Sequence, residues 1–339
     1  MKAFDITKLV RENILALKPY SSARDEFSGC EGVFLDANEN PFGTLNRYPD
    51  PHQKALKAAV SRIKKIPAEN IFLGNGSDEV IDLIYRVFAE SGRDKVIICP
   101  PTYGMYEVSA HINDVEIITV NLSSDFQLDI DEILKYWAKC VFVCSPNNPT
   151  GNRLERIHEL LEHFEGIVVV DEAYIDFCPE TSLLPEIERH PNLIVMQTFS
   201  KAWALAGVRV GMAFAQKTTI DLLSKTKPPY NISALNQQAA LSAIENVADF
   251  EKRRKLILEQ RAVLEKELKE IACVKKIYPS DANFLLVEVS DADAVYQKLV
   301  NHKVITRNRN SQIKNCIRIT VGSPEENNTL LCAMKKLEI

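Results

Sequence analysis

No apolar run in this chain of 339 residues approaches the roughly twenty residues that a membrane-spanning helix needs. The opening Met1-Lys-Ala-Phe-Asp-Ile also lacks the apolar core of a signal peptide. Paired cysteines are missing as well. The eight cysteines stand singly at positions 30, 99, 140, 144, 178, 273, 316 and 332, with no Cys-x-x-Cys among them. That spacing argues against a disulfide framework and against a structural zinc site. Surplus positive charge is absent too: the net charge is −5 and the isoelectric point about 5.8. General nucleic-acid binding is therefore not expected. His158 and His163 are five residues apart, which misses the shared helix face of a zincin, so no metal is expected. Asn121, Asn231 and Asn327 each open a glycosylation tripeptide, but a cytosolic chain does not meet that machinery. No repeat or low-complexity segment stands out. What survives is a globular protein, expected in the cytoplasm, without a membrane or nucleic-acid partner.

Hydrophobic residues make up 46% of the chain, enough for a large core. The length suits two packed units, or one large α/β unit with an appendage. Short apolar runs predict strands at 71–73, 95–99, 116–120, 140–144, 166–170, 193–198 and 209–214. Cys99, Cys140 and Cys144 fall in these runs and Cys316 in a later one, as free cysteines do in a reduced core. Helical patterns intervene, including 78–91 and 153–164, so the sheet is expected to be mostly parallel and covered on both faces. Beyond Lys227-Pro-Pro-Tyr230 the character changes. Helical patterns cover about 233–245 and about 249–271, the latter with Leu256, Ile257, Leu264 and Leu268 on its apolar side. Strands at 284–289 and 317–321 flank a helical pattern at 292–301. The reading is α/β, a large sheet domain over 31–245 and a smaller α+β domain over 246–339. Residues 1–30, with one helical pattern over 6–17, form an N-terminal arm.

Four motifs carry chemistry. Thr198, Ser200, Lys201 and Arg209 follow the apolar run Leu193–Met196. A lysine amine forms a Schiff base with an aldehyde once burial and nearby cations lower its pKa. An arginine fork and hydroxyls suit a phosphate on the same molecule. The plain alternative is a solvated loop lysine. Gly74-Asn-Gly-Ser-Asp-Glu79 joins a strand to a helix, where free amides and the helix dipole favour an anion. A dinucleotide site would want glycine at position 79, where Glu79 fits a capping box instead. Asp171 ends an apolar strand and Tyr174 follows it by three residues. A buried aspartate needs a cation such as a protonated pyridine nitrogen. Metal binding by Asp171 and Glu172 is the rival role. Ser145-Pro-Asn-Asn-Pro-Thr-Gly151 predicts an irregular loop that leaves the amides of Asn147 and Asn148 to a ligand.

In chain order, Gly76–Glu79, Pro100–Tyr106, Ser145–Gly151, Asp171–Tyr174 and the run from Ser200 to Arg209 resemble the fold-type-I pyridoxal-phosphate aminotransferases. Leu35–Gly43, Tyr48–Pro51 and Cys316–Gly322 are similar to the histidinol-phosphate aminotransferase branch. The resemblance spans roughly residues 15 to 325. It implies a fold-type-I transferase in which Lys201 links covalently to pyridoxal 5′-phosphate and shuttles the proton. Asp171 would pair with the ring nitrogen, Asn148 and Tyr174 with the ring oxygen, and Tyr103 would stack on the ring face. Ser77, Asp78, Arg209 and either Thr198 or Ser200 would hold the phosphate.

Tyr48 would reach the neighbouring subunit's cofactor, which makes a homodimer with shared sites. Tyr20, Asn38, Tyr230, Arg307 and Arg318 match substrate positions, and Arg309 competes with Arg307 for its place. The implied reaction is ping-pong amino transfer between L-histidinol phosphate and 2-oxoglutarate, which becomes L-glutamate, in L-histidine biosynthesis. An aromatic aminotransferase, a threonine-phosphate decarboxylase and a non-catalytic cofactor-binding regulator are the alternatives.

Overall fold

A computed structural model describes residues 4–21, 32–179 and 182–337. Two sheets organise them. The first contains β1 (Ile71–Gly74), β2 (Lys95–Ile98), β3 (Glu116–Thr119), β4 (Cys140–Cys144), β5 (Ile167–Asp171), β6 (Leu193–Thr198) and β7 (Gly211–Phe214). Their order is β1-β7-β6-β5-β4-β2-β3, and every pairing is parallel except the two made by β7. The central strands are apolar throughout because helices cover both faces. Val168 and Val170 enter one core with Val141, Val143 and Val195, while Ile167 and Val169 enter the other with Phe142 and Ile194. Each such side chain contributes about 1.5–3 kcal/mol relative to an exposed position.

The second sheet is antiparallel, in the order β10-β11-β9-β8. It consists of β8 (Val274–Ile277), β9 (Phe284–Val289), β10 (Arg307–Asn308) and β11 (Cys316–Thr320). Leu285, Val287, Ile317 and Ile319 form its core with Leu264 and Leu268 of the helix Val247–Leu268. The remaining face of this sheet is the one that meets the first sheet's loops.

Several expected elements change at their ends. The helix expected over 6–17 splits into a 3-10 turn, Ile6–Leu9, and a short helix, Glu12–Ala16. Val10 is extended, and the Arg11 amide donates to the Val87 carbonyl at 3.0 Å, so a tertiary contact overrides the helical pattern. The expected strand at 209 begins at Gly211, because Arg209 has φ +55°. The helix expected from 153 begins at Ile157, after Arg156 at φ +59°. In the helix Val247–Leu268, Leu264 and Leu268 are buried as expected, but Leu256 is 43% exposed. Cys99, Cys140, Cys144 and Cys316 are free and buried, whereas Cys30 lies outside the described residues. Among the described residues no helix is long and apolar enough to cross a membrane, and no cluster of metal-ligating side chains occurs.

Candidate active site

The strand order brings the motifs together. Because β4, β5 and β6 are parallel neighbours, their following loops leave from one edge of the sheet. That edge receives Asn148 after β4, Asp171 at the end of β5 and Lys201 after β6. The two antiparallel steps through β7 make β1 run with β6, so the Gly74–Gly76 loop emerges beside them. Gly74 and Thr198 both pair with Gly211, the first residue of β7. Ligands of open α/β sheets bind at such an edge.

Asp171 is 3% exposed and held on both oxygens. The Tyr106 hydroxyl donates to Oδ2 at 2.7 Å and the Ala173 amide donates to Oδ1 at 3.0 Å. Burial pushes its carboxyl above the usual carboxylate range, against those two hydrogen bonds and the positive field of Lys201. The group is poised to take a cation. Lys201 is half-buried, its Nζ 5.5 Å from the centre of the Tyr174 ring. Burial lowers its pKa, with Arg318 and Arg209 adding to the effect and Asp171 opposing it. A neutral, nucleophilic amine is thereby brought closer to neutral pH. Metal binding by Asp171 and Glu172 has no support here: Glu172 turns away, accepting from the Leu183 amide at 2.7 Å and from Gln197 at 2.8 Å.

The helix Ser77–Phe88 begins at Gly76, which has φ +77°. Its first amides have no partner within the helix. A Cβ on Gly76 would sit 2.6 Å from Arg209 Nη2, and one on Gly211 would sit 2.4 Å from the Ser77 nitrogen. Both glycines let the loop, the helix start and the guanidinium converge. Arg209 meets Asp78 Oδ2 at 3.2 Å, and the Tyr103 hydroxyl donates to Asp78 Oδ1 at 3.1 Å. The Ser77 hydroxyl is buried without a partner among the described residues. Unspent amides, an orphaned hydroxyl and a guanidinium at one helix start fit a phosphate group. Thr198 Oγ1 is already engaged, donating to the Val210 carbonyl at 3.4 Å and accepting from the Ser200 amide at 3.0 Å.

Opposite the cradle lies a face of arginines. Arg307 and Arg318 are direct cross-strand partners on β10 and β11, so their side chains leave the same face. Arg309, two residues further on, shares it by alternation. Ile317 and Ile319 point the other way into the core, as the sequence pattern predicts. The Arg318 guanidinium lies 5.2 Å from the Phe284 ring and donates to Asn148 Oδ1. Burial lowers the pKa of Arg318, with Arg307 adding to it. Burial, Arg318 and Arg307, in that order, lower Arg309 to about 10. Nε of both Arg309 and Arg318 is buried without a partner among the described residues. Like charges set directly opposite one another are destabilising. Two arginines on one sheet face, with Nε atoms unpartnered among the described residues, are suited to receive an anion.

One expected contact differs. The Asn147 amide is not left to a ligand: it donates to the Asn152 carbonyl at 2.8 Å. Its side chain bonds the Pro101 carbonyl and Thr150, so Asn147 holds the loop while Asn148 faces the site. Tyr20 is 70% exposed and makes no hydrogen bond or ring contact with Lys201, Arg307 or Arg318 among the described residues. Tyr48 stacks on Tyr230 with centroids 4.4 Å apart, and the exposed Asn38 (φ +55°) lines a concavity of about 720 Å³ beside Tyr48. Tyr106 carries the contact that sequence reasoning did not assign. It stands in the quoted Pro100–Tyr106 motif, and the signal for it was a phenol on a helix start beside an apolar strand.

The model of the family "Aminotransferase class I and II" matches residues 24–334. Histidinol-phosphate aminotransferase from Cytophaga hutchinsonii is 51% identical, over 98% of this chain and 99% of its own length. The same enzyme from Parabacteroides distasonis is 50% identical, over 99% of each chain. The solved histidinol-phosphate aminotransferase from Sinorhizobium meliloti, in complex with pyridoxal-5′-phosphate, is 25% identical with a TM-score of 0.80. That match covers 86% of this chain and 82% of the other. With matches of this extent, the chain belongs to the class I and II aminotransferases, in their histidinol-phosphate aminotransferase branch.

Proposed function

We propose that this chain moves the amino group of L-histidinol phosphate to 2-oxoglutarate, forming L-glutamate, as a step of L-histidine biosynthesis in the cytoplasm. The observation that carries the reading is Lys201, half-buried with Nζ 5.5 Å from the Tyr174 ring centre, its pKa lowered by burial and then by Arg318 and Arg209. Ser77, Asp78, Arg209 and Ser200 would hold the phosphate of pyridoxal 5′-phosphate, since the Thr198 hydroxyl is already committed. Asp171 would hold the ring nitrogen in its protonated form, with Asn148 and Tyr174 at the ring oxygen and Tyr103 at the ring face. Once bound, the cofactor supplies an aldehyde for the exchange of amino groups and a ring that accepts electron density. Lys201 Nζ would hold that aldehyde and would serve as the base that takes the proton from the substrate's amine-bearing carbon. Arg318 and Arg307 would bind the carboxylates of one substrate and the phosphate of the other, with Tyr20, Asn38 and Tyr230 completing the substrate pocket.

The test is an assay of the purified, cofactor-loaded protein with each amine and 2-oxoglutarate. Glutamate formation with histidinol phosphate, and no carbon dioxide from threonine phosphate, is the expected result. The reverse pattern would replace the reading with the decarboxylase. Arg318→Lys keeps the charge and loses the fork, so kcat/KM for histidinol phosphate should fall about ten- to a hundredfold, as for a lost charge-assisted contact. Unchanged constants in Arg318→Lys and in Arg307→Ala would remove both arginines from the site.

The same reading makes the active form a homodimer with shared sites. It is supported by large apolar side chains on one open region: Val33 is 88% exposed, Leu35 87% and Phe42 83%. Tyr48, 50% exposed, would reach the partner's cofactor phosphate. Mixing Tyr48→Phe chains with Lys201→Ala chains should then create one intact composite site. Activity per Lys201-bearing chain should rise above that of the Tyr48→Phe homodimer, and no rise would place Tyr48 in its own subunit's site. The proposed division into arm (1–30), large domain (31–245) and small domain (246–339) agrees with one sheet lying within 71–214 and the other within 274–320.

A further inference from the structure

Glu79 and Asn231 have no part in the roles assigned above, yet they touch the phosphate cradle from behind. Glu79 stands in the first turn of the helix Ser77–Phe88, where its Oε2 accepts the Asn75 amide. The same oxygen accepts from Asn231 Nδ2 at 2.8 Å. Asn231 Nδ2 also donates to the Leu73 carbonyl at 3.0 Å, and Asn231 Oδ1 accepts from Gln53 Nε2 at 3.2 Å. Gln53 in turn donates to the Pro51 carbonyl at 2.8 Å, its side chain buried and its backbone in the left-handed region at φ +49°. One chain of hydrogen bonds thus runs from the Gly74–Gly76 loop to the segment behind Tyr48. Asn231 is also the immediate neighbour of Tyr230, which stacks on Tyr48.

The geometry has a chemical purpose. The Gly76 amide is taken by the Gly74 carbonyl at 2.8 Å. With the Asn75 amide taken by Glu79, the loop's two leading donors are satisfied internally. The amides of Ser77 and Asp78 then remain as donors for an anion. A carboxylate one turn from a phosphate would repel it if it were loose, so its oxygens must be held turned away. Asn231 supplies the donor that does so. A carboxylate at this position also complements the helix dipole, which accounts for its being in the first turn at all.

Resting on the cofactor reading above, we infer that Glu79 and Asn231 are positioning residues that set the phosphate cradle. The readout is equilibrium binding to the cofactor-free protein of two aldehydes, pyridoxal 5′-phosphate and pyridoxal, which differ only in the phosphate. Asn231→Leu should weaken pyridoxal 5′-phosphate about tenfold, the effect of losing one charge-assisted hydrogen bond. Pyridoxal should bind this variant as it binds the parent. Glu79→Gln keeps the size and one acceptor oxygen, so it should lose about threefold for the phosphate ester only. The double variant should lose less than the product of the two, because both remove the same contact. Should Asn231→Leu not fold, Glu79→Gln carries the test by itself. Equal losses for both aldehydes, or no loss for either, overturn the inference. A parent protein that does not bind pyridoxal 5′-phosphate overturns the cofactor reading and the inference with it.

Discussion

Lys201→Ala chains will take up pyridoxal 5′-phosphate and turn over nothing measurable. The proposed phosphate contacts at Ser77, Asp78 and Arg209 are separate from the lysine, so uptake should persist at reduced affinity. Two functions vanish together: the covalent link and the proton transfer at the substrate carbon. Positioned general bases alone contribute about 10²–10⁴-fold, so the combined loss should exceed about 10⁴-fold. The environment of Nζ supports this weight on one residue, because burial and two arginines make its amine a better nucleophile than a surface lysine's. Borohydride reduction of the parent protein, followed by peptide mass spectrometry, checks the site. A reduced adduct on any other lysine would falsify the assignment.

Asp171→Asn should be nearly as damaging, for an electrostatic reason. The amide keeps the size of the carboxylate, and its oxygen can still accept from the Tyr106 hydroxyl, which sits 2.7 Å from Oδ2 in the parent. Shape and anchoring survive while the negative charge is lost. That charge would matter most as the substrate carbon gives up its proton, when the bound cofactor would have to accept electron density. Removing one pre-organised electrostatic group of this kind costs about 10²–10³-fold in kcat. Because the carboxylate sits in a buried, low-dielectric position, the loss should reach the upper end of that range. Cofactor affinity should fall far less, since the phosphate cradle is untouched. Stopped-flow and steady-state rates, set against a binding titration, separate the two effects. Near-parental turnover would show that another group pairs with the ring nitrogen.

The parts of the fold that could be read from sequence are those whose physics is local. Cys140–Cys144 and Leu193–Thr198 are unbroken apolar runs, and both occur as strands with those bounds. The proposed catalytic groups stand out in the sequence because each ends or closely follows an apolar run. Elements without an apolar signature were not. β8 reads Val-Lys-Lys-Ile and is half exposed at a sheet edge, while β10 is only Arg307–Asn308. Leu256 matched the helical period but fell on an uncovered flank of a 22-residue helix. The partners of Asp171 and Glu79 were hidden for a different reason. Tyr106 and Asn231 lie 65 and 152 positions away from them, and periodicity carries no information at that range. Asn231 was even disguised, its tripeptide reading as a sugar acceptor rather than as a strut.

The facing arginines of β10 and β11 bear on more than recognition. An edge strand two residues long has little backbone cohesion, and here its first residue opposes a like charge. Any dianion that settles between Arg307 and Arg318 removes that repulsion and adds attraction to both strands. The bound molecule then acts as a rivet through the margin of the small sheet. If the substrate is that dianion, its occupancy and the firmness of this corner are linked, and the coupling free energy is the same in both directions.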